Sequence, residues 1–217
     1  MEGCRSSSSS ASYTLIAAML SLLVFTVDVK SSSAQQIIVG QTNAEFINSD
    51  GETNIDFIIS SCNVTRYPRL CIDSLSIHAD TIQKSPRRLV YAALSVSLAS
   101  AQSTIPMMHQ FLNSTEQAAV RDCIETIGDS IDMLKKSIEE ISYLNEPDFE
   151  FHKENIQTWV SAAMTNGDTC LDGFTDISVM DGDVKSAITS LVENLNKLTS
   201  NALALINKLT PTQSTSR

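Results

Sequence analysis

The side chains with chemistry to offer are few. They are the thiols of Cys62, Cys71, Cys123 and Cys170, one further cysteine at position 4, and the imidazoles of His78, His109 and His152. Such groups can hold zinc, serve as nucleophile and base, or, for paired thiols, oxidise to disulfides. Spacing separates these options. Eight residues lie between Cys62 and Cys71 with no histidine nearby, which is not a zinc-ligand spacing. No histidine sits in a His-Glu-x-x-His run, and Gly-x-Ser-x-Gly and a glycine-rich phosphate loop are both missing. Asp/Glu pairs are plentiful but fall in helical patterns, where they are solvated. The chain therefore reads as a non-enzyme with no cofactor and no metal, and its thiols read as cross-links.

Cross-links need an oxidising compartment, and the first 34 residues supply the route to one. Arg5 is followed by a serine run, an apolar core from Leu15 to Val27, and the small residues Ser31, Ser32, Ser33 and Ala34. This is the order of a cleavable signal peptide. The core is shorter than the roughly 20 apolar residues of a membrane span and ends in Asp28 and Lys30. Cleavage near Ala34 removes Cys4 and leaves an even four cysteines. The expected product is a secreted, extracellular protein with no membrane attachment. Residues 1–34 carry two charges of each sign, so the net charge of −10 persists without them. That balance argues against nucleic acid and anionic membranes and favours solubility or a basic partner.

The elements that would position the cysteines are helical. Val120, Ile124, Ile127, Ile131, Leu134, Ile138 and Ile141 recur in steps of three and four, as do Ile188, Leu191, Leu195, Leu198, Ala202, Leu205 and Leu209. This is the apolar stripe of a bundle helix. A further helix is expected from Pro86, a favourable first-turn residue, through Val90, Leu94, Ser97 and Ala101, with a kink or early end at Pro106. Ser114 to Gln117 can cap the second long helix, and Asn145-Glu-Pro147 can close it. Asp183 is placed as the N-cap of the last helix, and Pro211 as its stop. The histidines, His152 beside the Pro147 turn included, read as helix-surface residues, and Trp159 as core. The expected organisation is a signal peptide over 1–34, a flexible extension over 35–53 and one domain over 54–211, with a disordered tail over 212–217. Within that domain, 54–84 forms a helical hairpin hinged at Tyr67-Pro68, and 86–211 forms four long helices.

Four cysteines allow three pairings. Cys62 and Cys71 flank the hinge and meet across a turn. The midpoint of Cys123 and Cys170 falls between Glu146 and Pro147, so antiparallel helices leaving that turn bring both to one level, roughly 35 Å away at 1.5 Å per residue. The expected pairs are Cys62–Cys71 and Cys123–Cys170.

Three segments carry a family resemblance. Ile59-Ser-Ser-Cys62-Asn-Val-Thr65-Arg-Tyr67-Pro68-Arg-Leu-Cys71, followed by Ser74-Leu75, resembles the opening hairpin of plant invertase and pectin methylesterase inhibitors. The run from Trp159 to Phe174, with Thr169-Cys170-Leu-Asp172, is similar to their third bundle helix, and Asn201-Ala-Leu203-Ala-Leu205-Ile206 to their closing segment. The resemblance covers about residues 54 to 211. The resemblance implies an all-α, antiparallel up-and-down four-helix bundle with an N-terminal helical hairpin. It also implies a cell-wall (apoplast) protein, monomeric when free, that inhibits a pectin methylesterase one-to-one by occluding its pectin-binding cleft.

At the residue level the resemblance places Thr169 and Asp172 on the functional helix, where a mutual i, i+3 hydrogen bond would fix its surface. Asp122, Glu125, Asp129 and Asp132 on the neighbouring helix offer an acidic face to a basic target, or simply a solvated one. The alternative is acid invertase inhibition, whose family members carry Pro-Lys-Phe before the third bundle helix. Here Pro147-Asp148-Phe149 puts an acid where the lysine stands. A secreted helical binding module without inhibitory activity is the third reading. Since similar helical regions occur as pro-regions of pectin methylesterases, the chain is expected to be a free-standing version. Two sequons, Asn63-Val-Thr65 and Asn113-Ser-Thr115, are glycan acceptors in an exported protein.

Overall fold

The computed structural model describes residues 53–112, 117–144, 147–174 and 182–211. The expected signal segment, the capping residues Ser114–Glu116, Asn113 and the tail lie outside these. Among the described residues every regular element is helical.

Thr53 opens the fold. Its hydroxyl accepts from the Asp56 amide at 3.1 Å while its own amide donates to the Asp56 carboxylate at 3.0 Å, a reciprocal capping box. That amide bond first, and the Thr53 hydroxyl second, hold the Asp56 carboxyl below the ordinary range. Helix α1 then runs Asn54–Cys62. After the Tyr67 hinge, α2 runs Pro68–Leu75 with proline in its first turn. The second hairpin arm is more broken than its pattern suggests. It passes through a 3₁₀ turn at Ser76–His78 into the single helical turn α3, Ala79–Ile82. Gln83 and Lys84 both take left-handed φ values, 48° and 57°, to turn the chain into the bundle.

The four long helices are α4 (Pro86–His109), α5 (Gln117–Glu140), α6 (Phe149–Asp172) and α7 (Gly182–Asn207). Each packs on its sequence neighbours, and α4 closes the square on α7. This is the up-and-down four-helix bundle. The predicted stripes face its centre: Val120, Ile127 and Leu134 from α5, Ile141 just beyond its end, and Ile188, Leu195, Leu198, Ala202 and Leu205 from α7, are buried. Buried hydroxyls among them are spent on the helices' own carbonyls, as with Ser97 to Ala93 and Thr199 to Leu195. The hairpin lies on α4 and α7. Two disulfides tie the fold, Cys62–Cys71 in the hairpin and Cys123–Cys170 between α5 and α6, with Cα separations of 5.6 and 4.4 Å.

Two boundaries differ from expectation, and of the two outcomes expected at Pro106, a kink or an early end, the early end does not occur. Helix α4 does not stop at Pro106 but reaches His109. Proline removes only the bond to the Gln102 carbonyl, on an exposed face, while Ala101, Thr104 and Met108 stay buried on the other. Asp183 is the second residue of α7 rather than its cap; there its carboxylate still complements the helix dipole. Finally, α7 ends at Asn207, four residues before Pro211. Leu209 folds back to be 5% exposed, and the Lys153 ammonium donates to its carbonyl at 2.9 Å. Burying Leu209 and capping its carbonyl wins over another half-turn of helix.

Gly167 lets α6 approach α7. A Cβ there would lie 2.1 Å from Oδ1 of Asn196, whose Nδ2 donates to Asp168 at 2.8 Å. Alanine improves helix propensity by about 0.5–1 kcal/mol, but displacing Asn196 costs about 1–3 kcal/mol by overpacking. Gly167→Ala should therefore destabilise the protein by about 1–2 kcal/mol in urea denaturation. In an Asn196→Ala background the same change should become stabilising, because the obstruction is gone. An unchanged sign would refute this packing account.

Candidate functional site

Helices α5 and α6 form the most extensive helix pair in the bundle, and they are joined at three heights. The Cys123–Cys170 disulfide ties one end. In the middle, Ser130 donates to the Ala163 carbonyl at 3.0 Å, which brings the two backbones together over a small residue. At the turn end, Oε1 of Glu140 takes Nδ1 of His152 and Nδ2 of Asn155, each at 2.8 Å. A pair held in this way presents its outer face as one rigid surface.

That face carries the expected residues. Asp122, Glu125, Asp129 and Asp132 are all exposed on α5. They form two rows about 60° apart at 100° per residue: Asp122 with Asp129 beside α6, and Glu125 with Asp132 farther out. Asp132 pairs with Lys135 at 3.3 Å, an exposed i, i+3 contact of little energetic weight. On α6, Thr169 and Asp172 are also exposed. The Thr169 hydroxyl donates to the Thr165 carbonyl at 2.9 Å, one turn back, because inside a helix that acceptor is always within reach. Thr158, Thr165 and Thr169, all exposed, share one short-chain polar stripe of α6, and the register set by Cys123–Cys170 puts Thr165 and Thr169 level with the Asp122–Asp129 row.

In the hairpin, Asn63 ends α1 exposed, inside the small disulfide loop, while Thr65 of the same sequon is buried with its hydroxyl donating to the Cys62 carbonyl at 2.7 Å. His152 departs from its surface assignment. Its side chain is 17% exposed, held by Glu140 and stacked on Tyr143 at 5.5 Å. The pairing partner lies on the preceding helix, so no local signal marked it. Among the described residues no His/Cys/Asp/Glu group could hold a metal ion, and no helix is long and apolar enough to cross a membrane.

Burial pushes the Glu140 carboxyl up, but the bonds from Asn155 and His152 and the charge of His152 outweigh it, so its pKa falls below the ordinary glutamate value. A depressed carboxylate contributes stability that is full above the unfolded pKa of about 4.3 and is lost as pH falls through the folded value. The thermal midpoint should therefore drop more steeply below about pH 4.3 in the native protein than in Glu140→Gln. Parallel melting curves for the two would refute the assignment.

Comparison with known proteins agrees with this architecture. Residues 56–205 match the family described as plant invertase/pectin methylesterase inhibitor. The chain is 43% identical over 204 residues to Pectinesterase inhibitor 11 of Arabidopsis thaliana, across 90% of this chain and 94% of that one. It is 43% identical over 170 residues to Pectinesterase inhibitor 10 of the same plant, across 75% of this chain and 54% of that one. A crystal structure of mutant form A of a pectin methylesterase inhibitor from Arabidopsis superposes with a TM-score of 0.57 at 19% identity, over 74% of this chain and 100% of that one. At that identity the structural likeness speaks for the fold.

Proposed function

Since this chain belongs to the plant invertase/pectin methylesterase inhibitor family, we propose that it is a secreted inhibitor of a pectin methylesterase. It acts in the cell wall by laying the outer face of α5 and α6 across the enzyme's pectin-binding cleft, one molecule to one. The observation that carries this is the α5–α6 pair, clamped at three heights and presenting Asp122, Asp129, Thr165 and Thr169 on one surface. A long polymer is excluded by a rigid helical face without any chemistry from the inhibitor, and rigidity keeps the ordering cost of docking low. The acidic rows suit a basic rim on the target and steer its approach. Thr169 and Asp172 contribute as surface residues of the disulfide end. Asn63, exposed in its loop, is positioned to carry a glycan that points into solvent.

Titration of the oxidised protein, without residues 1–34, against a plant pectin methylesterase and a plant acid invertase tests this reading. Loss of esterase activity saturating near one-to-one, with an association rate that slows as salt rises, is the expected result. Loss of invertase activity alone would transfer the reading to invertase despite Asp148. Inhibition of neither would leave a helical binding module.

A further inference from the structure

We propose that the turn end of the α5–α6 pair, built from Tyr143 and Phe151, is a second and aromatic anchor for the same target enzyme. The inference rests on the esterase-inhibitor reading and adds where the complex is held. Tyr143 is 52% and Phe151 61% exposed, so neither ring is placed there by the core. Both pack against one imidazole. The His152 ring lies between them, stacked on Tyr143 at 5.5 Å and 23°, and edge-on to Phe151 at 5.4 Å and 75°. Glu140 and Asn155 in turn hold His152 and its carboxylate partner. Beside the cluster is a depression of ≈ 650 Å³ whose lining mixes Ile138, Tyr143 and Trp159 with Lys136, Glu139 and Ser142. Exposed rings packed on a shared imidazole, beside a depression of mixed polar and apolar lining, have the make-up of an interface hot spot, because part of their side-chain freedom is already spent before docking.

The position of the cluster selects its occupant. Phe151, Thr158, Ala162, Thr165 and Thr169 follow one helical stripe, so the aromatic end shares a face with the acidic and threonine end. Phe151 and Thr169 are eighteen residues apart, about 27 Å along the helix. A standard interface buries about 800 Å² on each partner, a patch about 30 Å across. A target that lies along the whole pair therefore covers both ends, whereas contact with the acids alone would fill half of such a patch. The two ends then divide the work: long-range charge at Asp122 and Asp129 sets the rate of encounter, and desolvated rings at Tyr143 and Phe151 set the lifetime.

Association and dissociation kinetics with a pectin methylesterase separate these roles. Tyr143→Ala/Phe151→Ala should raise the dissociation rate at least tenfold and leave the association rate within twofold. Asp122→Asn/Asp129→Asn should slow association and flatten its salt dependence. Phe151→Ser alone, at an exposed position, keeps the test available if the double variant folds poorly, and should raise dissociation severalfold with an unchanged thermal midpoint. Dissociation rates within twofold of the native protein for folded variants would overturn the aromatic anchor while leaving the inhibitor reading intact. Failure of the native protein to inhibit would overturn both.

Discussion

Exchanging Asn201 for leucine should lower the unfolding free energy by about 2–4 kcal/mol and release the hairpin before the bundle. Asn201 lies on α7 and is 3% exposed. Its Oδ1 accepts from the Tyr67 amide at 3.0 Å, and its Nδ2 donates to the Tyr67 carbonyl at 2.9 Å. One side-chain amide thus satisfies both backbone groups of the hinge residue, which stands just ahead of Pro68 and outside any helix. Leucine fills the volume but leaves a donor and an acceptor without partners in a largely dry site, at about 1–3 kcal/mol each, less where water reaches the half-buried tyrosine. Aspartate is a sharper probe. It retains an acceptor for the amide but sets a charge against the Tyr67 carbonyl, so it should be at least as harmful as leucine. Urea denaturation measures the total, and amide exchange locates it: α1 and α2 should lose protection while α4 to α7 keep theirs. A loss under about 1 kcal/mol, small beside the cost of orphaned buried groups, would mean that the hinge is held by packing alone.

Removing the Cys123–Cys170 cross-link as Cys123→Ala/Cys170→Ala should cost about 4 kcal/mol on loop-entropy grounds, against about 2.7 kcal/mol for Cys62→Ala/Cys71→Ala. The ordering follows from sequence separations of 47 and 9. Both cysteines of the larger loop are buried, at 1% and 3% exposure, so the alanines also leave a small cavity that adds to the loss. The function should suffer in step, since this disulfide clamps one end of the α5–α6 face. Inhibition of the esterase should weaken more than in the hairpin variant, even under conditions where both remain folded. A larger effect from the hairpin disulfide would shift the functional weight from the α5–α6 pair to the hairpin.

Much of the architecture was legible because it depends on short-range regularities. An apolar residue every three or four positions specifies a helix and the face it buries, and Val120 through Ile141 show this without any knowledge of neighbours. Pro86 in a first turn and Pro68 after a hinge are likewise local. Where a local reading gave way, packing on another element decided. Pro106 interrupts one hydrogen bond but cannot end a helix whose far face is packed. Pro211 is not the stop for α7, because Leu209 gains more by turning into the core under the Lys153 cap.

The candidate site divides along the same line. That Asp122, Asp129, Thr165 and Thr169 lie on exposed helix stripes follows from periodicity. That the two stripes sit side by side follows from the antiparallel pairing the cysteines already implied. The aromatic end was hidden: Tyr143, Phe151 and His152 have no motif, and only the turn that joins α5 to α6 makes them one cluster.

The sequence by itself determined the helices, their buried faces, the cysteine pairing and the family, because periodicity, loop length and motif spacing are properties of the chain read in order. The tertiary structure alone decided how Asn201 serves Tyr67, 134 residues away, why Gly167 must lack a side chain beneath Asn196, and how Glu140 gathers His152 and Asn155. Each of these is a polar or steric match between separate helices, and its partner is set by the angle and height at which the helices pack.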